Sequence, residues 1–314
     1  MNRLQANVLL LLAGAIWGMG FVAQAKAMDN VGPFIFIALR FLVACLVILP
    51  FALLESSRYR EQHHSGAPTV PTSGRSLSLM DGVKFCLIGI SLFAGIACQQ
   101  VGLLTTSVTN SGFLTGLYVV FTPLIAIALF SDKPHLVIWP AAILSLLGIF
   151  LLSGGDAGAL VVGDLLTILS AVFWALQVVM IARFVGQSGR PLALSLMQFA
   201  VTALIALVVA LFMEPIVWSS IIKAAPEILY TGIFASGVAF TLQVIGQRYT
   251  SAPQAAILLS SEAPFAALFA FLWMGERVGI IGVAGCVLIF VAMLLVEMVP
   301  AWQARPSGPK VGCS

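Results

Sequence analysis

The sequence predicts an all-α integral membrane protein. It reads as ten transmembrane helices in two inverted five-helix repeats, with both termini in the cytoplasm. Three observations lead there: composition, an internal repeat and the placement of basic residues. Of 314 residues, 61% are hydrophobic and 9% charged, and the mean hydropathy is +1.09. A soluble domain of that length could not cover so much apolar surface, so the solvent is lipid. Residues 99–107 (QQVGLLTTS) align without a gap with residues 243–251 (QVIGQRYTS) at an offset of 144. That offset pairs Gln99 with Gln243, Gly102 with Gly246, and Asp132–Lys133 with Glu276–Arg277. Upstream, Trp17 pairs with Trp174 at an offset of 157 and Pro33 with Pro191 at 158, because the loop around 56–82 is longer than its counterpart around 215–226. Duplicated membrane bundles are typical of secondary transporters, with the site between the halves.

Basic residues set the orientation. Lys26, Lys223 and Arg277 fall on one side. Arg3, Arg58, Arg60, Arg75, Lys84, Lys133, Arg183, Arg190, Arg248, Arg305 and Lys310 fall on the other. The richer side is cytoplasmic. An odd number of helices per half inverts the second half. The net charge of +3 reflects this bias and gives no reason to expect nucleic acid as a partner.

The first repeat covers residues 6–153. Helix 1 (6–26) carries Gly14 and Gly18 four apart, then Trp17 and Gln24. Arg3, the apolar run and Ala23-Gln24-Ala25 imitate a signal peptide. Cleavage, however, would delete one helix of a duplicated set. Helix 2 (33–54) starts at Pro33 and buries Arg40. Residues 56–82, rich in Ser, Pro and Gly with His63 and His64, read as a flexible cytoplasmic linker. Helix 3 (83–102) carries Gln99. Helix 4 (107–130) carries Asn110, Gly112, Gly116 and Tyr118, and Pro123 interrupts it. Helix 5 (136–153) is almost purely apolar, which suits lipid or a homodimer contact. In the second repeat (163–297), helix 6 (163–184) holds Trp174 and Gln177, and helix 7 (191–213) holds Gln198. Helix 8 (227–247) holds Gln243, and helix 9 (254–274) holds Gln254, Glu262 and Pro264. Helix 10 (279–297) is apolar like helix 5, and residues 300–314 form a cytoplasmic tail. Each span approaches the ~20 apolar residues a bilayer requires.

Arg40 and Glu262 are the ionisable residues well inside spans. A charge at that depth normally faces a cavity or a partner. Glu262 reads either as a carboxyl that exchanges protons or holds a cation, or as a hydrogen-bonded strut between helices. Arg40 reads as a ligand for a substrate carboxylate, for which its planar fork is suited, or as a structural residue bonded to carbonyls or to Glu262. Under the two offsets Glu262 is the mate of Tyr118, and Arg40 is the mate of Gln198. Polar but different mates suit a pseudo-symmetric cavity around an asymmetric ligand. Gln99 and Gln243 either line it or bond between helices. Asn110 and Gln254 are a second matched pair, but near helix starts, where capping competes. Trp17 and Trp174 lie mid-span, where indoles floor a pocket or fill the core. With Tyr118 and Phe113 they suggest an aromatic cage for a quaternary amine as a lesser alternative. The five cysteines and three histidines show no metal spacing, so neither metal nor cofactor is expected.

AGAIWGMGFVAQ in helix 1, GPFIFIALRF entering helix 2, TSVTNSGFLTGLYVVFTPL in helix 4 and LLSSEAPFAALFAFLWMGER in helix 9 resemble the drug/metabolite transporter superfamily, in its ten-helix EamA branch. The resemblance covers roughly residues 6–297. It implies an inner-membrane permease, often an exporter of amino acids or related metabolites. It further implies a central cavity walled by helices 1, 3, 4, 6, 8 and 9, with helices 5 and 10 peripheral. Trp17, Arg40, Tyr118, Glu262 and Pro264 fall on positions of the family pattern. The linker after helix 2 departs from it.

Alternating access around a midplane cavity, driven by the substrate gradient or by proton exchange at Glu262, is the leading reading. An intramembrane enzyme finds no support. There is no H-E-x-x-H, Ser153-Gly154-Gly155-Asp156 lacks the first Gly of a G-x-G-D motif, and every His lies in a loop. A non-transporting scaffold or receptor, or a carrier of quaternary amines or drugs, is the alternative. A carrier of phosphorylated or nucleotide sugars would want more cations inside the membrane than Arg40.

Overall fold

The computed structural model describes residues 1–64, 77–106, 108–152, 154, 160–269, 271–272 and 279–303, with the backbone alone for 60–64, 108–110 and 300–303. Every regular element among them is helical: α1 (Arg3–Ala27), α2 (Pro33–His64), α3 (Leu79–Gly102), α4 (Val108–Thr115), α5 (Tyr118–Phe130), α6 (Ile138–Leu152), α7 (Val162–Ser188), α8 (Pro191–Met213), α9 (Trp218–Lys223), α10 (Ala225–Tyr230), a π-helix (Thr231–Ala239), α11 (Phe240–Gln247), α12 (Ala252–Leu259), α13 (Glu262–Phe269) and α14 (Ile280–Gln303). By length and composition, eight segments can cross a membrane, and Ile138–Leu152 is a shorter apolar helix. Large apolar side chains such as Leu46, Leu79, Phe212 and Ile280 stand 71–89% exposed, as lipid contact requires and water would forbid. This is a multi-pass membrane protein.

The long helices pair across the sequence, α2 along α8, α3 along α7 and α6 along α14. Two of these contacts and their mates make the repeat visible in three dimensions. A Cβ on Gly102 would meet Gly163 and Thr167, and one on Gly246 would meet Ala6 and Leu10. Gly102 and Gly246 are mates at 144, and Ala6–Gly163 and Leu10–Thr167 are mates at 157. In the α2–α8 pair, each helix ends on the start of the other. Glu214, just past α8, accepts from the backbone N–H groups of Phe34 and Ile35 (2.9 and 2.8 Å). Glu55, late in α2, accepts from those of Leu192 and Ala193 (3.1 and 3.0 Å) and from Arg190. Carboxylates satisfy the orphan donors of a helix start and complement its dipole.

Three features differ from the sequence reading. The helix predicted to stop at residue 54 continues to His64, so the first part of the expected linker is helical. Ser56 and Ser57 bond back to the carbonyls of Ala52 and Leu53, and hydrogen bonding does not stop where the apolar run stops. Residues 65–76, including Arg75, lie outside the described residues, as do Ser107, Glu276, Arg277 and the end of the tail. Second, helices 4 and 9 are each interrupted before the proline, not at it. The breaks are Gly116–Leu117 and Ser260–Ser261, matched at an offset of 144. Pro264 explains the second break, because its ring displaces the carbonyl four residues back, that of Ser260. Third, the predicted helix 8 contains nine residues of π winding.

Candidate functional site

The two breaks meet at mid-bundle. Tyr118 is the first residue of α5 and Glu262 the first residue of α13, so two matched half-helix starts face one half-open space. That space is lined by Trp17, Phe21, Gln24, Arg40, Ile96, Gln99, Thr115, Tyr118, Trp174, Val178, Phe240, Gln243, Leu259 and Glu262. It leaves about 50 Å³ for the centres of water-sized molecules. One water requires ~10–15 Å³ on that measure, so the space is roomy enough for a small solute.

Twelve of those fourteen residues form six mated pairs: Trp17 with Trp174, Phe21 with Val178, Ile96 with Phe240, Gln99 with Gln243, Thr115 with Leu259, and Tyr118 with Glu262. The cavity is therefore lined by the same positions of both repeats. Gln24 and Arg40 lie outside that symmetry, and they are bonded to each other. Arg40 is 2% exposed. Its Nε donates to Ser236 Oγ at 2.9 Å and its Nη1 to Gln24 Oε1 at 2.8 Å. Its guanidinium lies 5.6 and 5.3 Å from the ring centres of Phe36 and Phe41. Among the described residues no carboxylate pairs with it. Glu262 also has no ion-pair or hydrogen-bond partner among them. Thus Arg40 and Glu262 share the cavity without an ion pair.

The remaining walls are apolar, amide or hydroxyl. Phe240 is packed between the two indoles, 4.8 Å from Trp17 and stacked on Trp174 at 5.7 Å and 10°. Gln99 donates to Thr115 Oγ1 at 2.8 Å. Gln243 donates to Gln177, which donates to Gln198, each at 3.2 Å. Gln198 therefore sits behind the cavity wall and acts through two other amides, whereas the other seven predicted site residues line the cavity. Phe113 packs against Phe150, away from the cavity, and contributes to no cage. Gln254 is remote as well. It binds Arg3 (2.7 Å) and Glu297 (2.6 Å), tying α1, α12 and α14 together. In the sequence Gln24 is an unmatched polar position and a weaker candidate than the mated glutamines, and Phe21, Ile96, Thr115, Val178, Phe240 and Leu259 were missed. They are mated pairs under the two offsets, but every span residue has a mate, so the offsets alone do not mark them as cavity lining.

The EamA-like transporter family matches this chain over residues 4–154 and again over 161–298. The chain belongs to that family. An uncharacterized transporter of Archaeoglobus fulgidus is 30% identical over 297 residues, covering 95% of this chain and 87% of its own length. A WAT1-related chloroplastic protein of Arabidopsis thaliana is 22% identical over 293 residues, covering 90% of this chain and 66% of that protein. A solved crystal structure aligns with a TM-score of 0.75 at 19% identity, covering 95% of this chain and 98% of the other, which shows a common fold. This EamA-like protein is thus a membrane transporter.

Proposed function

We propose that this EamA-like transporter exports small zwitterionic metabolites, amino acids or close relatives, by alternating access around the mid-bundle cavity. One observation carries the reading. Arg40 and Glu262 present a guanidinium and a carboxyl group to one small space and do not pair with each other. A ligand with a carboxylate at Arg40 and an ammonium at Glu262 would pair both, while its apolar part lies against Trp17, Phe240 and Trp174. Buried charges demand such compensation. The family match over two successive stretches and the six mated pairs support a duplicated chain whose halves surround the site.

Glu262 is also the group placed to exchange a proton, because among the described residues no cation holds its carboxylate. Proteoliposomes loaded with mixed amino acids, quaternary amines and small drugs test both parts. Protein-dependent efflux of amino acids, accelerated by an opposing proton gradient, is the expected result. Glu262→Gln should leave folding intact, raise the KM for downhill efflux of amino acids and abolish the acceleration. Efflux confined to quaternary amines or drugs would overturn the substrate assignment, and unchanged acceleration in the variant would overturn the coupling role.

A further inference from the structure

Trp17 and Trp174 are mates, yet their indole N–H groups end differently. Trp17 Nε1 donates to the carbonyl of Ala235 at 2.8 Å, inside the π-helix. The mate of Ala235 is Ser91 in α3. Trp174 lies against α3 at Gly95, whose Cβ would sit 3.5 Å from the indole, so the Ser91 carbonyl is one turn away. But α3 is unbroken α-helix from Leu79 to Gly102, and Trp174 Nε1 is buried with no partner among the described residues. The adjoining contacts match at their acceptors but not at their donors, since Ser91 and Tyr230 are not mates. The Phe173 carbonyl accepts from the Ser91 hydroxyl at 2.9 Å, and that of its mate Ile16 accepts from the Tyr230 hydroxyl at 3.2 Å.

We propose that Trp17 and Trp174 form a two-position latch. In this conformation Trp17 holds the Ala235 carbonyl. In the conformation open to the opposite side, Trp17 lets go, the π winding passes to residues 87–95 of α3, and Trp174 holds the Ser91 carbonyl. The latch rests on the alternating-access reading above, in which the halves of an inverted repeat exchange conformations. A buried donor without a partner is costly, and the exchange moves that cost from one half to the other without adding to it. Phe240 links the two positions. It directly follows the π-helix and packs on both indoles, so rewinding turns the ring that both rest on.

The test uses the full chain with its five native cysteines replaced and a single reporter, Val178→Cys, on the cavity wall. A membrane-impermeant maleimide is applied from each face of proteoliposomes, and the ratio of the two labelling rates reads the ratio of conformations. Trp17→Phe should shift that ratio about 2- to 10-fold toward the opposite conformation, the effect of one net hydrogen bond. Trp174→Phe should shift it by a similar factor the other way, and the double variant should return near the parent ratio. Indole NMR on the parent protein requires no variant to fold. Each Trp should show a hydrogen-bonded signal in one conformation only, and not in the same one. Shifts in the same direction, or no effect of Trp174→Phe while the parent alternates, would overturn the latch and leave alternating access standing. Labelling of the parent from one face only would overturn both.

Discussion

Two residues break the symmetry of the cavity, and they decide what it can hold. Arg40 has Gln198 as its mate and Gln24 has Ile181, so one repeat supplies a cation where the other supplies an amide. The site has one positive wall, which fits a ligand carrying one carboxylate. Arg40→Gln places at residue 40 the side chain its mate already bears. No ion pair is lost among the described residues, and Gln24 and Ser236 can still bond to an amide, so folding should be retained. The lost bond is a charge-assisted one to the ligand, worth ~1.5–3 kcal/mol, or about 10- to 100-fold. The KM for a transported amino acid should rise by that factor, while its primary amide, with no carboxylate, should compete equally well against parent and variant. An unchanged KM would show that Arg40 does not touch the carboxylate.

At the scale of elements, the helices were legible in the sequence and their interruptions were not. Apolar runs mark the part of a helix that meets lipid, so expected helices 1, 2, 3, 6 and 7 fell inside the observed ones while polar ends were missed, as at His64 and Ser188, whereas expected helix 5 began two residues before α6. Proline marked the right helices for the breaks but the wrong residues. The Gly116–Leu117 break has no proline within a turn and is apparent only as the mate of Ser260–Ser261. Nor does anything in the residues 231–239 announce π winding. The glycine pairs show the same limit of pattern reading. Gly14 and Gly18 allow α1 to lie against α13, where a Cβ on Gly18 would come within 2.6 Å of the Ala266 backbone nitrogen. Gly112, with the same four-residue spacing to Gly116, faces nothing within 4 Å. Gly18→Ala should therefore destabilise the detergent-solubilised protein by ~1–3 kcal/mol, because backbone cannot yield as a side chain does. Gly112→Ala should be neutral or mildly stabilising, by up to ~1 kcal/mol of helix propensity. Thermal unfolding midpoints of the two variants compare them directly, and a Gly18→Ala variant as stable as the parent would mean that α1 and α13 are not in that register.

The whole molecule is held as pairs that join the two repeats, and this is why its orientation matters. Glu55 on the first half caps α8 of the second, and Glu214 on the second caps α2 of the first, at opposite ends of one helix pair. If the halves are inverted, these two caps lie on opposite faces of the membrane, and the basic side chains gather near the Glu55 end: Arg190 bonds Glu55 itself, and Arg58 follows three residues later. The Glu214 end has Lys26 and Lys223 as its nearest basic residues in sequence. The positive-inside bias therefore assigns Glu55 to the cytoplasm and Glu214 to the outside. Ser57 and Ser219 are exposed residues close to each end and outside the cavity. In a cysteine-replaced background, Ser219→Cys should react with an impermeant maleimide on intact cells. Ser57→Cys should react only after the membrane is opened. The reverse pattern would invert the molecule and with it the direction of transport relative to Arg40, and reaction of both on intact cells would place the two ends of the α2–α8 pair on one face, which an inverted repeat does not allow.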